Sequence, residues 1–204
     1  MAEKEQRMPQ QTPDSHIPEK NDSKGVWFVA EHKDGKIEKS ALVLAGEAKT
    51  IAAKLDEETA AILIGHQVQG LAAEFAPYGI DKAFIIEDKR LEKYTGDAYV
   101  NALAQVVRLN KPSIIVFATT PMGNDLAPRL AARLKVGLLS RYTEIEVDKD
   151  KKLTARRPIH GGKAQAAVAL LRKPLVATVD PQLLTVQKSR EIKNPQVIEC
   201  KVNL

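Results

Sequence analysis

The chain has 204 residues, a formal net charge of +5, and 44% apolar against 28% charged residues, the balance of a globular domain rather than of a disordered or fibrous chain. No stretch approaches the ~20 consecutive apolar residues of a bilayer-spanning helix, and the N-terminus lacks the apolar block of a secretory signal. A single cysteine, Cys200, excludes an internal disulfide and any cysteine-built zinc or iron–sulfur site within one chain, while His16, His32, His66 and His160 fall at no metal-motif spacing.

Residues 1–24 mix Pro, Gln, Ser and charge, with four basic and five acidic side chains. Such a segment cannot bury enough surface to offset its ordering entropy and is predicted to be a flexible tail. From Gly25 the pattern changes. Val26–Ala30 reads as a strand, followed by a helix capped by Ser40 in which Leu42, Ala45, Ala48, Ala52 and Leu55 recur at helical spacing. Ala60–Ile64 is a second strand, Leu71–Pro77 a short helix and Ala83–Ile86 a third strand. Tyr94–Leu109 is a helix stopped by Lys111-Pro112, Ile114–Ala118 a fourth strand and Gly123–Leu134 a further helix.

Four apolar strands, each followed by a helix, imply a parallel sheet covered on both faces: an α/β, Rossmann-like three-layer architecture. After Leu134 the rhythm breaks. Leu138–Val147, Lys152–Arg157, Gln165–Leu171 and Leu175–Val179 read as four strands without helices between them, with Asp148-Lys149-Asp150-Lys151 as turn chemistry. This predicts a β-rich antiparallel extension. Residues 188–204 are polar and linker-like, so the expected division is a tail at 1–24, an α/β body at 25–187 and a C-terminal segment at 188–204.

In an open parallel sheet, ligands approach the carboxyl ends of the strands where strand order reverses. Thr119-Thr120-Pro121-Met122-Gly123-Asn124-Asp125 follows the fourth strand there and can present backbone N–H groups at a helix start. Asn124 or Asp125 can cap that helix, with Pro128 near its first turn; a well-capped helix without a ligand satisfies the same pattern. Nucleotide signatures, G-x-G-x-x-G or G-x-x-x-x-G-K-[ST], are missing. Gly161-Gly162-Lys163 lies in β-rich surroundings, where glycines permit a bulge or close backbone approach. His160 beside Arg156 and Arg157 is the one basic cluster with an imidazole, and no nucleophile or carboxylate pair stands out. From Asp148 to Lys163 six basic residues face two acidic ones, but without stacking aromatics or a recognition helix, so a solvated turn is expected rather than a nucleic-acid site.

Several segments together resemble the N-terminal domain of the electron transfer flavoprotein alpha subunit. They are Glu31-His32-Lys33-Asp34-Gly35-Lys36-Ile37, Gly46-Glu47-Ala48, Tyr78-Gly79-Ile80-Asp81-Lys82, the run KPSIIVFATTPMGNDLAPRLAARLKVGLLSRYTEIEVD, Arg157-Pro158-Ile159-His160-Gly161-Gly162, and RKPLVATVDPQLL. Three positions depart from that pattern: Asn124 stands in place of Arg or Lys, Lys163 in place of Asn, and Asp180 in place of Arg. The resemblance implies a non-catalytic electron-carrier subunit that forms a heterodimer with a beta subunit and supports a separate or missing FAD-binding domain, with Thr119, Gly123, Asn124, Asp125, Arg156, Arg157, His160, Gly161 and Gly162 as the candidate interface. FAD would be held mainly outside this chain, AMP is allowed in the partner subunit, and acyl-CoA or other dehydrogenases would donate the electrons. It also implies no contact with nucleic acid, no membrane insertion, and a cytoplasmic location, or the mitochondrial matrix in a eukaryote. Two rivals from other classes are a stand-alone adenine-nucleotide-binding module and an anionic-surface binder using the basic turn.

Overall fold

The computed structural model describes residues 23–149, 151–170 and 172–204. Its centre is a seven-stranded sheet built from β1 (Val26–Val29), β4 (Thr59–Gly65), β5 (Lys82–Glu87), β6 (Ile114–Ala118), β7 (Leu138–Tyr142), β11 (Leu175–Val179) and β12 (Gln196–Glu199). The order across the sheet is β12-β5-β4-β1-β6-β11-β7, and every neighbouring pair is parallel. Alternation within each strand sends side chains to two cores. Val26 and Phe28 of β1 face α1 (Lys39–Leu55) and the 3-10 turn at Gln69–Tyr78, whereas Trp27 and Val29 face α2 (Gly96–Asn110) and α3 (Pro121–Leu134). The expected three layers are therefore present.

Two smaller sheets complete the architecture. β2 (His32–Lys33) and β3 (Lys36–Ile37) form a hairpin whose turn, Asp34-Gly35, has φ of 50° and 72°, the left-handed conformation that a two-residue hairpin demands. β8 (Glu144–Val147), β9 (Leu153–Ile159) and β10 (Ala164–Leu170) form an antiparallel sheet in the order β10-β9-β8. Ile145, Leu153 and Ala155 seat it on the α1 side of the core, and the Lys54 ammonium donates to the Ile145 carbonyl at 3.1 Å.

Several sequence expectations are corrected. α1 begins after Glu38, and Ser40 lies inside its first turn. The predicted strand Leu138–Val147 is broken in two: Arg141 takes a φ of +53° and its N–H leaves the ladder for the Thr178 hydroxyl at 2.9 Å, so β7 stays in the parallel sheet while β8 turns away. Leu175–Val179 is no part of the antiparallel extension. Buried along its whole length, it lies between β6 and β7, which its mainly apolar, β-branched character favours. Of the predicted tail, residues 1–22 lie outside the described residues; Ser23 is buried and its carbonyl accepts from the Ser113 hydroxyl at 2.8 Å.

The linker-like segment 188–204 contains the edge strand β12. Its approach is fixed by Asp81, whose carboxylate accepts from the Thr59 N–H at 2.9 Å, the Thr59 hydroxyl at 2.8 Å and the Lys193 ammonium at 3.2 Å, with Lys49 at 3.7 Å. Beyond β12, the Asn203 carbonyl accepts from Gln105 at 2.8 Å, and Val202 and Leu204 pack on the α2 side of the core. Burial pushes the Asp81 carboxyl up, but these donors outweigh it and hold the group below its ordinary range. Replacing Asp81 by Ala takes the acceptor from the Thr59 N–H and from the hydroxyl of the fully buried Thr59, and is expected to cost about 1–3 kcal/mol. Because the folded-state pKa is lowered, that contribution is present at neutral pH and fades as pH drops below about 4. Denaturant melts of the two proteins across that range check both statements.

Candidate functional site

Strand order reverses between β1 and β6, because the chain leaves β1 toward β4 over one face and reaches β6 by way of α2 on the other. The carboxyl ends of these two strands border a cleft of about 370 Å³ lined by Glu31, His32, Tyr94, Tyr99, Thr120 and Met122, among others. Two aromatic rings form part of its wall, Tyr94 and Tyr99 meeting edge to face at 4.9 Å.

Thr120 is the hinge of this site. Its hydroxyl donates to Glu31 Oε1 at 2.5 Å and accepts from the Gly123 N–H at 3.0 Å, so Thr120 caps α3 while tying it to the end of β1. The cap expected at Asn124 or Asp125 is thus misplaced by one helical turn: α3 begins at Pro121, leaving Asn124 exposed within it and Pro128 in the helix interior. Thr119 continues the sheet, its N–H donating to the Val179 carbonyl at 3.0 Å. Gly123 is required by sterics, since a Cβ there would stand 1.9 Å from the Ala118 carbonyl oxygen. The helix start rests directly on the last residue of β6.

Asp125 serves a different connection. It accepts from the Tyr94 hydroxyl at 2.6 Å and from Arg129 Nε at 2.7 Å, and Arg129 also reaches Asp97 at 3.5 Å. Together these fasten α3 to the entrance of α2, and Gly96 leaves the room: a Cβ there would lie 2.8 Å from Asp125 Oδ2. The Tyr94 hydrogen bond and Arg129 hold the Asp125 carboxyl below its usual range.

Glu31 behaves oppositely. Burial pushes its pKa up, the Thr120 hydroxyl pulls it down, and Glu38 nearby pushes it up again; the net shift is upward. The Glu31 carboxyl is thus held half-buried near another acid, at the mouth of the sheet, where its charged form is disfavoured. The sequence places Glu31 two residues past the end of β1, in a region that general α/β topology marks for function, but composition alone gives no reason to single it out.

The second group of candidates occupies the antiparallel sheet. Arg156 faces outward and pairs with Glu146 at 2.9 Å and Glu144 at 3.5 Å. Lys151 reaches Asp56 at 3.9 Å, so the basic run is partly neutralised by acids of its own chain. Arg157 points to the other face, where its Nε is buried without a hydrogen-bond partner among the described residues. His160, Gly161 and Gly162 form the β9–β10 tip with φ of 50°, 66° and 86°. No atom lies within 4 Å of a Cβ added at either glycine, so the turn conformation requires them and close backbone approach does not. Among the described residues no hydrogen bond or ion pair joins Thr119–Asp125 to Arg156–Gly162. The candidates therefore make two separate surfaces.

Among the described residues no helix is long and apolar enough to cross a membrane, and no group of three or more His, Cys, Asp or Glu side chains is placed to hold a metal ion.

The family model for the electron transfer flavoprotein domain matches residues 26–203. The chain is 32% identical over 90% of its length to the electron transfer flavoprotein subunit alpha of Thermoanaerobacterium thermosaccharolyticum, covering 56% of that protein. It is 37% identical over 89% of its length to protein FixB of Clostridium saccharobutylicum, covering 53% of it. It is 30% identical over 89% of its length to the acryloyl-CoA reductase electron transfer subunit beta of Anaerotignum propionicum, covering 55% of it. The chain spans about half the length of the curated relatives it matches. It belongs to the electron transfer flavoprotein family and corresponds to the alpha-subunit N-terminal domain. The family match runs through β12, beyond the boundary expected at residue 187.

Two outcomes are expected at this site. Gly123→Ala forces α3 off β6 and lowers stability by about 1–3 kcal/mol, read as a fall in Tm. Glu31→Gln keeps an acceptor for Thr120 and removes the buried charge. Since the folded-state pKa of Glu31 is raised, its ionisation opposes folding at neutral pH and is silent once the group is protonated in both states. The variant should therefore melt above the native chain at pH 7, with the gap closing as pH falls toward about 4.

Proposed function

Proceeding from membership in the electron transfer flavoprotein family, we propose that this chain is a rigid scaffold that pairs with a beta subunit and supports an FAD-carrying domain, without performing a redox step itself. Electrons would pass from acyl-CoA or other dehydrogenases through that flavin to an acceptor. The flavin domain has to move between partners, and a stiff base keeps such motion productive. The absence of any long apolar helix among the described residues accords with action in an aqueous compartment.

The observation that carries this reading is the outer edge of β10. Ala164, Gln165, Ala166, Ala167, Val168 and Ala169 are uncharged and largely exposed, and among the described residues β10 pairs only with β9. An open edge of this length and composition is a template for a strand of another chain, and sheet edges that stay free normally carry Lys, Pro or a bulge. On the neighbouring strand β9, Arg157 Nε is buried without a hydrogen-bond partner among the described residues, four residues before the positive-φ glycine at Gly161. A partner strand laid along β10 would pair the groups of this open edge.

The test is association with a cognate beta subunit, followed by calorimetry or sedimentation. Ala167→Lys places a charge on the edge at a solvent-exposed position, and Arg157→Ala removes the guanidinium. Each is expected to weaken the complex at least about tenfold, roughly 1.4 kcal/mol, while leaving Tm of the free chain within a few degrees. Normal affinity in both variants, or no association of the native chain with a folded beta subunit, overturns the reading.

A further inference from the structure

At the amino ends of β1, β4 and β5, the opposite end of the strands from Thr120, lies a second cleft of about 340 Å³. That is the small end of the roughly 300–1,000 Å³ range of small-molecule sites. Trp27, Phe84 and Ala60 form its apolar part, each no more than 4% exposed, with the Trp27 and Phe84 rings 4.4 Å apart. Gly25 faces the pyrrole edge of the indole: a Cβ there would stand 3.1 Å from Nε1. A buried indole N–H normally finds an acceptor, but that of Trp27 makes no hydrogen bond among the described residues. The one fully enclosed side-chain nitrogen or oxygen without a partner among those residues is Arg157 Nε, so the Trp27 N–H opens onto the cleft that its ring lines.

We propose that this cleft binds a small neutral carboxamide carried on an apolar ring, its carbonyl oxygen accepting from the Trp27 N–H and its amide N–H groups donating to the acidic rim. An indole nitrogen only donates, so the ligand must bring an acceptor. The rim selects a neutral one. Asp56, Glu57 and Glu58 outnumber Lys24 and Lys82 around the opening, and Lys82 is already held by Glu58 at 2.6 Å. That balance repels a carboxylate ligand. Glu57 is spent on the Gly25 N–H at 2.7 Å, whereas Asp56 and Glu58 stand exposed at the mouth with oxygens left to accept. A primary carboxamide supplies the acceptor and two donors in one planar group. Its ring would lie against Phe84 and Ala60, where the gain is removal of apolar surface from water.

The site is remote from the β10 edge, so its test on the isolated chain is independent of pairing with a beta subunit. Trp27 is the single tryptophan of the sequence, and emission excited where tyrosine does not absorb reports on it alone. Titration with benzamide at neutral pH should change that emission saturably, with a Kd of about 1 mM for so few atoms. Benzoate, the same shape with a charge, should bind at least about tenfold more weakly, and acetamide, without the ring, should give no saturable change. At about ten times its Kd, benzamide should raise Tm by about 3 °C. Trp27→Phe removes the N–H and keeps an aromatic ring; its ligand-free melt establishes folding, and the benzamide-dependent rise in Tm should be lost. Asp56→Asn combined with Glu58→Gln leaves the core untouched and should narrow the gap between benzamide and benzoate. A native chain whose emission and Tm ignore benzamide, benzoate or acetamide binding as tightly as benzamide, a folded Trp27→Phe variant that keeps the full rise, or an unchanged preference in the rim variant overturns the proposal.

Discussion

A sheet of seven parallel strands has no solvent-facing side, and that constraint organises the whole molecule. Each central strand needs apolar residues at odd and even positions alike, which is why β4, β6 and β11 are buried along their full length. Two covering layers must then be supplied. α1 and the Gln69–Tyr78 turn cover one face with help from β8 and β9, and α2 with α3 covers the other. The C-terminal residues Ile198, Cys200, Val202 and Leu204 finish that second layer beyond the reach of the helices.

The same constraint concentrates polar chemistry at the strand ends. At the amino ends, Glu57 accepts from the Gly25 N–H at 2.7 Å and lies 2.9 Å from the Ser113 hydroxyl oxygen, and Asp81 gathers Thr59 and Lys193. At the carboxyl ends, Glu31 and Thr120 bridge the point where strand order reverses. These carboxylates do for the ends of the sheet what packing does for its faces. At Glu31 burial outweighs the Thr120 hydrogen bond and raises the pKa.

The antiparallel sheet obeys different rules. β9 is enclosed between β8 and β10, but β10 presents a bare edge of small uncharged residues. Within an isolated chain such an edge is a liability, and it is the edge proposed above to accept a strand of another chain. The charge reversal at Asp180, read against the family pattern, has a local account: its carboxylate accepts from the Gln182 N–H at 3.0 Å and meets Arg141 at 3.4 Å.

Periodicity and burial chemistry determined the alternation of strand and helix from Val26 to Leu134, because two-sided burial and one-sided amphipathicity leave different marks in a linear string. Asp148 turned the chain as its residue type suggests, with Lys152 N–H donating to its side chain at 2.8 Å. What the string could not disclose depends on distant partners. The break at Arg141 requires Thr178, the strand at Gln196–Glu199 requires the free edge of β5, and the return of Leu175–Val179 to the parallel sheet requires a vacancy beside β6. The site divides in the same way. Thr119–Asp125 was marked by its position after an apolar strand, but Thr120 became the cap because Gly123 alone can approach the Ala118 carbonyl. Glu31, Tyr94 and the buried Nε of Arg157 acquired their meaning only when folding brought residues far apart in sequence within hydrogen-bond reach, or left a guanidinium nitrogen buried with no hydrogen-bond partner among the described residues.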